Sequence, residues 1–133
     1  MNKKILLLGL MMLIIIFVTG CCAPIMPTTG LATVEEIDIL TLESFPVQIF
    51  VIARGNLPDP CTEISEVLQE REGDIFFITI KTYRPPGPCI QVLAPFEKII
   101  PLDVYGLPAG TYTVDVNGVQ AIFDLEIDNI LSI

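Results

Sequence analysis

The sequence predicts an all-β fold, a two-layer sandwich of about seven strands standing behind an N-terminal export segment. Three observations predict it. From Val34 onward, short runs rich in Val, Ile, Phe and Thr are separated by Pro/Gly punctuation at intervals of ~8–15 residues. Asn117-Gly118 is flanked by two alternating runs that close into a hairpin in a single register. The first twenty residues combine a basic start, an apolar run and small residues, which is how an export signal is built.

The N-terminal pattern comes first in the chain. Lys3 and Lys4 precede an apolar run from Ile5 to Val18, shorter than the ~20 residues a bilayer span needs. Thr19, Gly20 and Cys21 follow at once. Val18-Thr19-Gly20-Cys21 resembles the lipobox of prokaryotic lipoproteins. That resemblance implies cleavage before Cys21, a lipid on its thiol, and a domain on the extracytoplasmic side of a cell membrane or outer membrane. Cys22 follows directly, where an aspartate would mark inner-membrane retention in such lipoproteins. The expected organisation is therefore a signal peptide over 1–20, lipidated cysteine and tether over 21–30, and a sandwich over 31–133. The tether, Ala23 to Gly30, holds two prolines and no periodicity. It reaches about 30 Å at most.

Within the domain, Ile37 to Leu42 and Val47 to Ala53 read as strands split by Ser44-Phe45-Pro46. Both faces of the second are apolar, so it belongs at the centre of a sheet. Thr62–Arg71 fits a short helix or a strand; Glu72-Gly73 ahead of a clear strand favours the hairpin. In the strand from Asp74 to Tyr83, Phe76, Ile78 and Ile80 face one way and Phe77 the other. Phe96 to Val104 is the next element, and its Pro101 points to an edge or a bulge.

Gly106-Leu-Pro-Ala-Gly-Thr-Tyr112-Thr-Val114 follows. It resembles the tyrosine corner of fibronectin type III and other immunoglobulin-like sandwiches, which implies an immunoglobulin-like fold and a buried Tyr112 whose hydroxyl bonds backbone upstream. Pairing Val116 with Val119 across the Asn117-Gly118 turn sets Val114 opposite Ala121 and Tyr112 opposite Phe123, all on one face. Thr113, Asp115, Asp124 and Glu126 fall on the other.

Cys61 and Cys89 end the proline-rich turns Leu57-Pro-Asp-Pro-Cys61 and Arg84-Pro-Pro-Gly-Pro-Cys89. In an exported chain they read as a disulfide that staples two loops. Such loops present Asn56, Asp59, Tyr83 and Arg84 as candidate binding residues, although prolines and a bridge also suit a small core that needs support. The acidic groups Glu66/Glu70/Glu72/Asp74 and Asp124/Glu126/Asp128 lack the converging geometry of a calcium loop and read as solvated faces.

Composition narrows the function classes. Without the signal, five basic residues face sixteen acidic ones, a net charge of −11. A domain so acidic does not neutralise phosphates, so nucleic acid is excluded as a partner and the lipid is the expected route to the membrane. The chain has no histidine, and so lacks the commonest general base and metal ligand. Its three serines, Ser44, Ser65 and Ser132, lie outside any G-x-S-x-G setting. The expectation is a non-catalytic, cofactor-free and metal-free module that binds an envelope protein or supports an assembly. An immunoglobulin-like proteinase inhibitor is the alternative, and a carboxylate-based hydrolase a distant third.

Overall fold

The computed structural model describes residues 26–130; the signal peptide expected over 1–20, together with Cys21 and Cys22, lies outside them. Eight strands form: β1 (Thr28–Leu31), β2 (Thr33–Leu42), β3 (Gln48–Leu57), β4 (Glu63–Glu72), β5 (Ile75–Arg84), β6 (Ala94–Pro101), β7 (Gly110–Val116) and β8 (Val119–Leu125). They make an all-β sandwich. One sheet has the order β2-β3-β6. In the other, β5 pairs with β4 on one edge and with both β1 and β7 on the opposite edge, and β8 continues from β7.

The elements follow from their alternation. Ile49, Val51 and Ala53 of β3 point into the core, as do Phe76, Ile78 and Ile80 of β5. Burying each of the larger ones stabilises the fold by roughly 1.5–3 kcal/mol. Surface ion pairs contribute about 0–1 kcal/mol each, so inter-sheet packing dominates. β3 is central, with β2 and β6 on its flanks. On its outer face Arg54 joins both neighbours, through Asp38 on β2 and Glu97 on β6 at 2.9 Å. Gly55 admits no side chain, because a Cβ would lie 1.9 Å from the Thr33 carbonyl oxygen beside the β2 bulge.

The ambiguous segment is strand β4, joined to β5 by a tight turn with Gly73 at φ 60°. Pro101 ends β6 on a sheet edge. The β7–β8 hairpin has the register read from the sequence, with Val116↔Val119, Val114↔Ala121 and Tyr112↔Phe123. Tyr112, Phe76 and Phe123 pack with ring centroids 5.5–6.2 Å apart.

One feature corrects the expected plan and another adds to it. The sequence extends the tether through Gly30, yet Thr28–Leu31 pairs antiparallel with β5, Thr28 opposite Arg84 and Leu31 opposite Lys81. All four β1 residues are exposed. They show no buried alternation, and the backbone ladder attaches them to the sheet edge. Second, β5 and β7 run parallel, Ile75 opposite Thr113. The chain between them crosses to the other sheet as β6 and returns at the end where β5 began, so both start from the same side.

Asn117 occupies the gap left where β7 stops and β1 has not yet begun along β5. Its Oδ1 accepts from the Ile80 N–H at 2.9 Å. Its Nδ2 donates to the Ala32 and Ile80 carbonyls at 2.8 and 3.1 Å. The side-chain amide thus stands in for one ladder residue. The positive φ that the turn demands, 49°, is one that asparagine tolerates.

Candidate functional site

Both ends of the sandwich carry candidate sites, and strand register assigns each loop to its end. β3 ends at Leu57, opposite the start of β6 at Ala94. β4 starts at Glu63, opposite Tyr83 near the end of β5. The connections over 58–62 and 85–93 therefore close the same end. Thr28, opposite Arg84, brings the described chain in there too.

Cys61 and Cys89 join these two connections by a disulfide, with Cα atoms 6.2 Å apart. Asp59 lies beneath it and is only 4% exposed. Its Oδ1 accepts from the Cys61 N–H, the Thr62 N–H and the Thr62 hydroxyl at 2.9–3.0 Å. Its Oδ2 accepts from Arg84 Nε at 2.8 Å, and the same guanidinium reaches the Gly87 carbonyl at 3.3 Å. Burial acts to raise the Asp59 pKa, but the hydrogen bonds from Thr62 and Arg84 outweigh it and hold the carboxyl below its ordinary 3.8. An Asp59 oxygen and the two sulfurs lie within 4.8 Å of one another. A disulfide offers no thiolate, however, so the trio is a structural knot rather than a metal centre.

The four residues expected to form a binding surface thus separate. Asp59 and Arg84 are spent on each other inside the loops, where four close donors satisfy the acid. Tyr83 is half-buried on β5, between Thr29 and Glu63. Asn56 belongs to the other sheet, where its amide donates to Glu35 at 2.7 Å. What these loops do expose is Ile90, Val92 and Leu93.

At the opposite end, the Tyr112 hydroxyl donates to the Pro108 carbonyl at 2.6 Å, pinning the turn that enters β7. Asn129 is fully buried among these loops. Its amide bonds both backbone groups of Val47 and the Val104 carbonyl at 2.7–3.1 Å, and its own backbone bonds Gly106 and Leu107. The sequence marks neither Asn117 nor Asn129 as a structural amide. Asn117 announces a turn, and nothing in Ile127-Asp-Asn-Ile130 announces a knot. The last strand ends at Leu125, so Glu126 and Asp128, both expected on its outer face, lie beyond it; the Asp128 carboxylate accepts from the Ala109 N–H at 2.8 Å.

Beside this knot a groove of about 690 Å³ opens between the β2–β3 connection and the end of β8. Phe45, Val47, Leu125 and Ile127 supply its apolar lining, and Glu43, Asp124 and Glu126 its rim. Asp124 accepts from the Thr111 hydroxyl at 2.6 Å. Among the described residues no cation lines the groove, so its rim suits a positively charged, partly apolar segment.

A family model described as the ORF11 beta-sandwich domain matches residues 51–125, from the middle of β3 to the end of β8. The uncharacterized 10.2 kDa protein in the HgiCIIM 5′ region of Herpetosiphon aurantiacus is 37% identical over 87 residues, 65% of this chain and 92% of that relative. The 10.2 kDa proteins in the HgiBIM and HgiEIM 5′ regions of the same organism are each 39% identical over 77 residues, 57% of this chain and 93% of theirs. No solved structure matches the chain. The match contains both cysteines, Asp59, Arg84, Tyr112 and Asn117.

Proposed function

The chain belongs to the ORF11 beta-sandwich domain family, and we propose, from its N-terminal sequence and the placement of β1, that it is a lipoprotein whose sandwich is a non-catalytic binding or accessory module at an extracytoplasmic membrane surface. The anchor is Cys21, in the lipobox-like run Val18-Thr19-Gly20-Cys21. The finer immunoglobulin-like kinship rests on the Gly106–Val114 corner and is part of the same proposal.

One observation carries the reading: β1 enters the sandwich at Thr28, seven residues after Cys21, at the disulfide-tied end. Fully extended, those seven residues reach about 25 Å. The acidic groove then opens at the end away from the anchor, where a basic segment of an envelope protein can approach it. Among the described residues, the buried carboxylate, Asp59, is held below its ordinary pKa by hydrogen bonds from Thr62 and Arg84. That is the opposite of what a general acid needs.

Crosslinking in intact membranes followed by mass spectrometry tests the reading. A reproducible envelope partner is expected, and its recovery should drop when Glu43 and Glu126 are changed to Lys. Recovery of the lipoprotein alone, in repeated experiments, counts decisively against a binding role. The inhibitor alternative draws on the stiff loops at the anchor end, and a panel of proteases left uninhibited by the purified chain removes it.

A further inference from the structure

We propose that the loop over 85–93 is a second, non-covalent membrane contact that rests its apolar tip on the lipid surface. This inference deepens the lipoprotein reading and rests on it.

The first support is composition. The chain carries sixteen acidic residues, yet no charged residue lies between Arg84 and Glu97. Ile90, Val92 and Leu93 are 72%, 58% and 65% exposed, and Met26 at the same end is 69% exposed. Exposed apolar side chains are ordinary when single, but three within four residues make a patch. Moving a charge out of water is costly and moving these side chains is not. Pro85, Pro86 and Pro88 also lack backbone N–H groups, which lowers the number of donors that would lose water.

The second support is position. The loop leaves β5 at Arg84, the residue opposite Thr28, so it lies at the end where the chain arrives from Cys21. The reach of about 25 Å keeps that end near the bilayer. A lipid surface is therefore the apolar phase this patch meets first.

The third support is rigidity. The disulfide to Cys61 and the Arg84–Gly87 bond fix the base of the loop, and the Val92 N–H donates to the Ile90 carbonyl at 3.1 Å. Little conformational freedom remains to be lost on contact. Arg84 is committed to Asp59, so attraction to anionic headgroups is not part of the contact; with a domain this acidic, neutral lipid is the surface that fits.

The chain contains no tryptophan, so single tryptophans report position. The full lipid-bearing chain, purified from membranes, is reconstituted into phosphatidylcholine vesicles with and without acyl-chain bromination. The variants are Val92→Trp, Leu93→Trp and, at the opposite end, Tyr105→Trp. Mass spectrometry reads the lipid on Cys21, and circular dichroism confirms the fold of each variant. With the lipid present, the two loop reporters should be quenched by brominated lipid at least about twofold more than Tyr105→Trp, as for side chains lying ~5–10 Å into the interface. Equal quenching at both ends of a lipid-bearing chain overturns the loop contact and leaves the anchor standing. A Cys21 without lipid overturns the lipoprotein reading, and the loop contact with it.

Discussion

Asn117 offers the sharpest test of how this sandwich is held together. Replacing it with glycine keeps the positive φ of the turn and removes only the amide. Three side-chain hydrogen bonds are lost, to the Ile80 N–H, the Ile80 carbonyl and the Ala32 carbonyl. The Ile80 carbonyl keeps the Ala32 N–H at 3.0 Å, so two groups rather than three are orphaned. At about 1 kcal/mol net per bond, Asn117→Gly should cost about 3 kcal/mol. Asn117→Ala adds roughly 1 kcal/mol, because its Cβ is forced to a left-handed φ. With a urea m value of about 1.5 kcal/mol per molar, the glycine variant's unfolding midpoint should fall by about 2 M. Amide exchange supplies the local readout, since the Ile80 N–H should lose protection before the β4 side of β5 does. A glycine variant within about 0.5 kcal/mol of the parent, with Ile80 still protected, would refute the idea that this amide fills a missing ladder position.

Other perturbations follow from the geometry. Changing both cysteines to serine, across a sequence separation of 28, should cost about 3.5 kcal/mol by loss of the closed loop, read as a fall in Tm of roughly 15–25 °C. Tyr112→Phe should cost about 1 kcal/mol through the lost bond to Pro108, whereas Tyr112→Ala should cost about 3–5 kcal/mol by opening a cavity beside Phe76 and Phe123; denaturant titration separates the two. Gly55→Ala should destabilise by about 2–3 kcal/mol, because its Cβ meets backbone that cannot step aside. Asp59 sets an acid limit: its pKa is lowered on folding, so its contribution is complete above the ordinary 3.8 and is lost as pH falls through the lower native value. The stability difference between the parent and Asp59→Asn should therefore hold constant above that pH and shrink below it, and a difference independent of pH counts against the ion pair.

The parts of this fold legible in the sequence are those governed by alternation and turn chemistry. The β7–β8 register could be read residue by residue because Asn117-Gly118 sets its phase and one face is apolar throughout. β3 declared itself central through apolar residues on both faces. β1 could not be read this way: with every side chain exposed, its register is held by backbone bonds that any sequence could make. The parallel β5–β7 pair was hidden for a related reason, since the direction of a neighbour leaves no mark on a strand's own pattern. In the candidate site, the proline-cysteine spacing pointed to the tied loops. The inward turn of Asp59 depends on Arg84, twenty-five positions away, and no local signal reports that partnership.

The way β1 is attached has a mechanical consequence. A pull on the chain ahead of Thr28 acts along the strand, not across it. The four residue pairs with β5 are then loaded together in shear, instead of opening one after another from an end. Antiparallel pairs loaded in shear share the force, so a strand of only four residues can withstand tension that would peel apart a hairpin of the same length. The domain is thereby joined to the chain ahead of Thr28 through a shear-loaded strand, and the Asn117 clamp at Ala32 stands as the second barrier if β1 gives way.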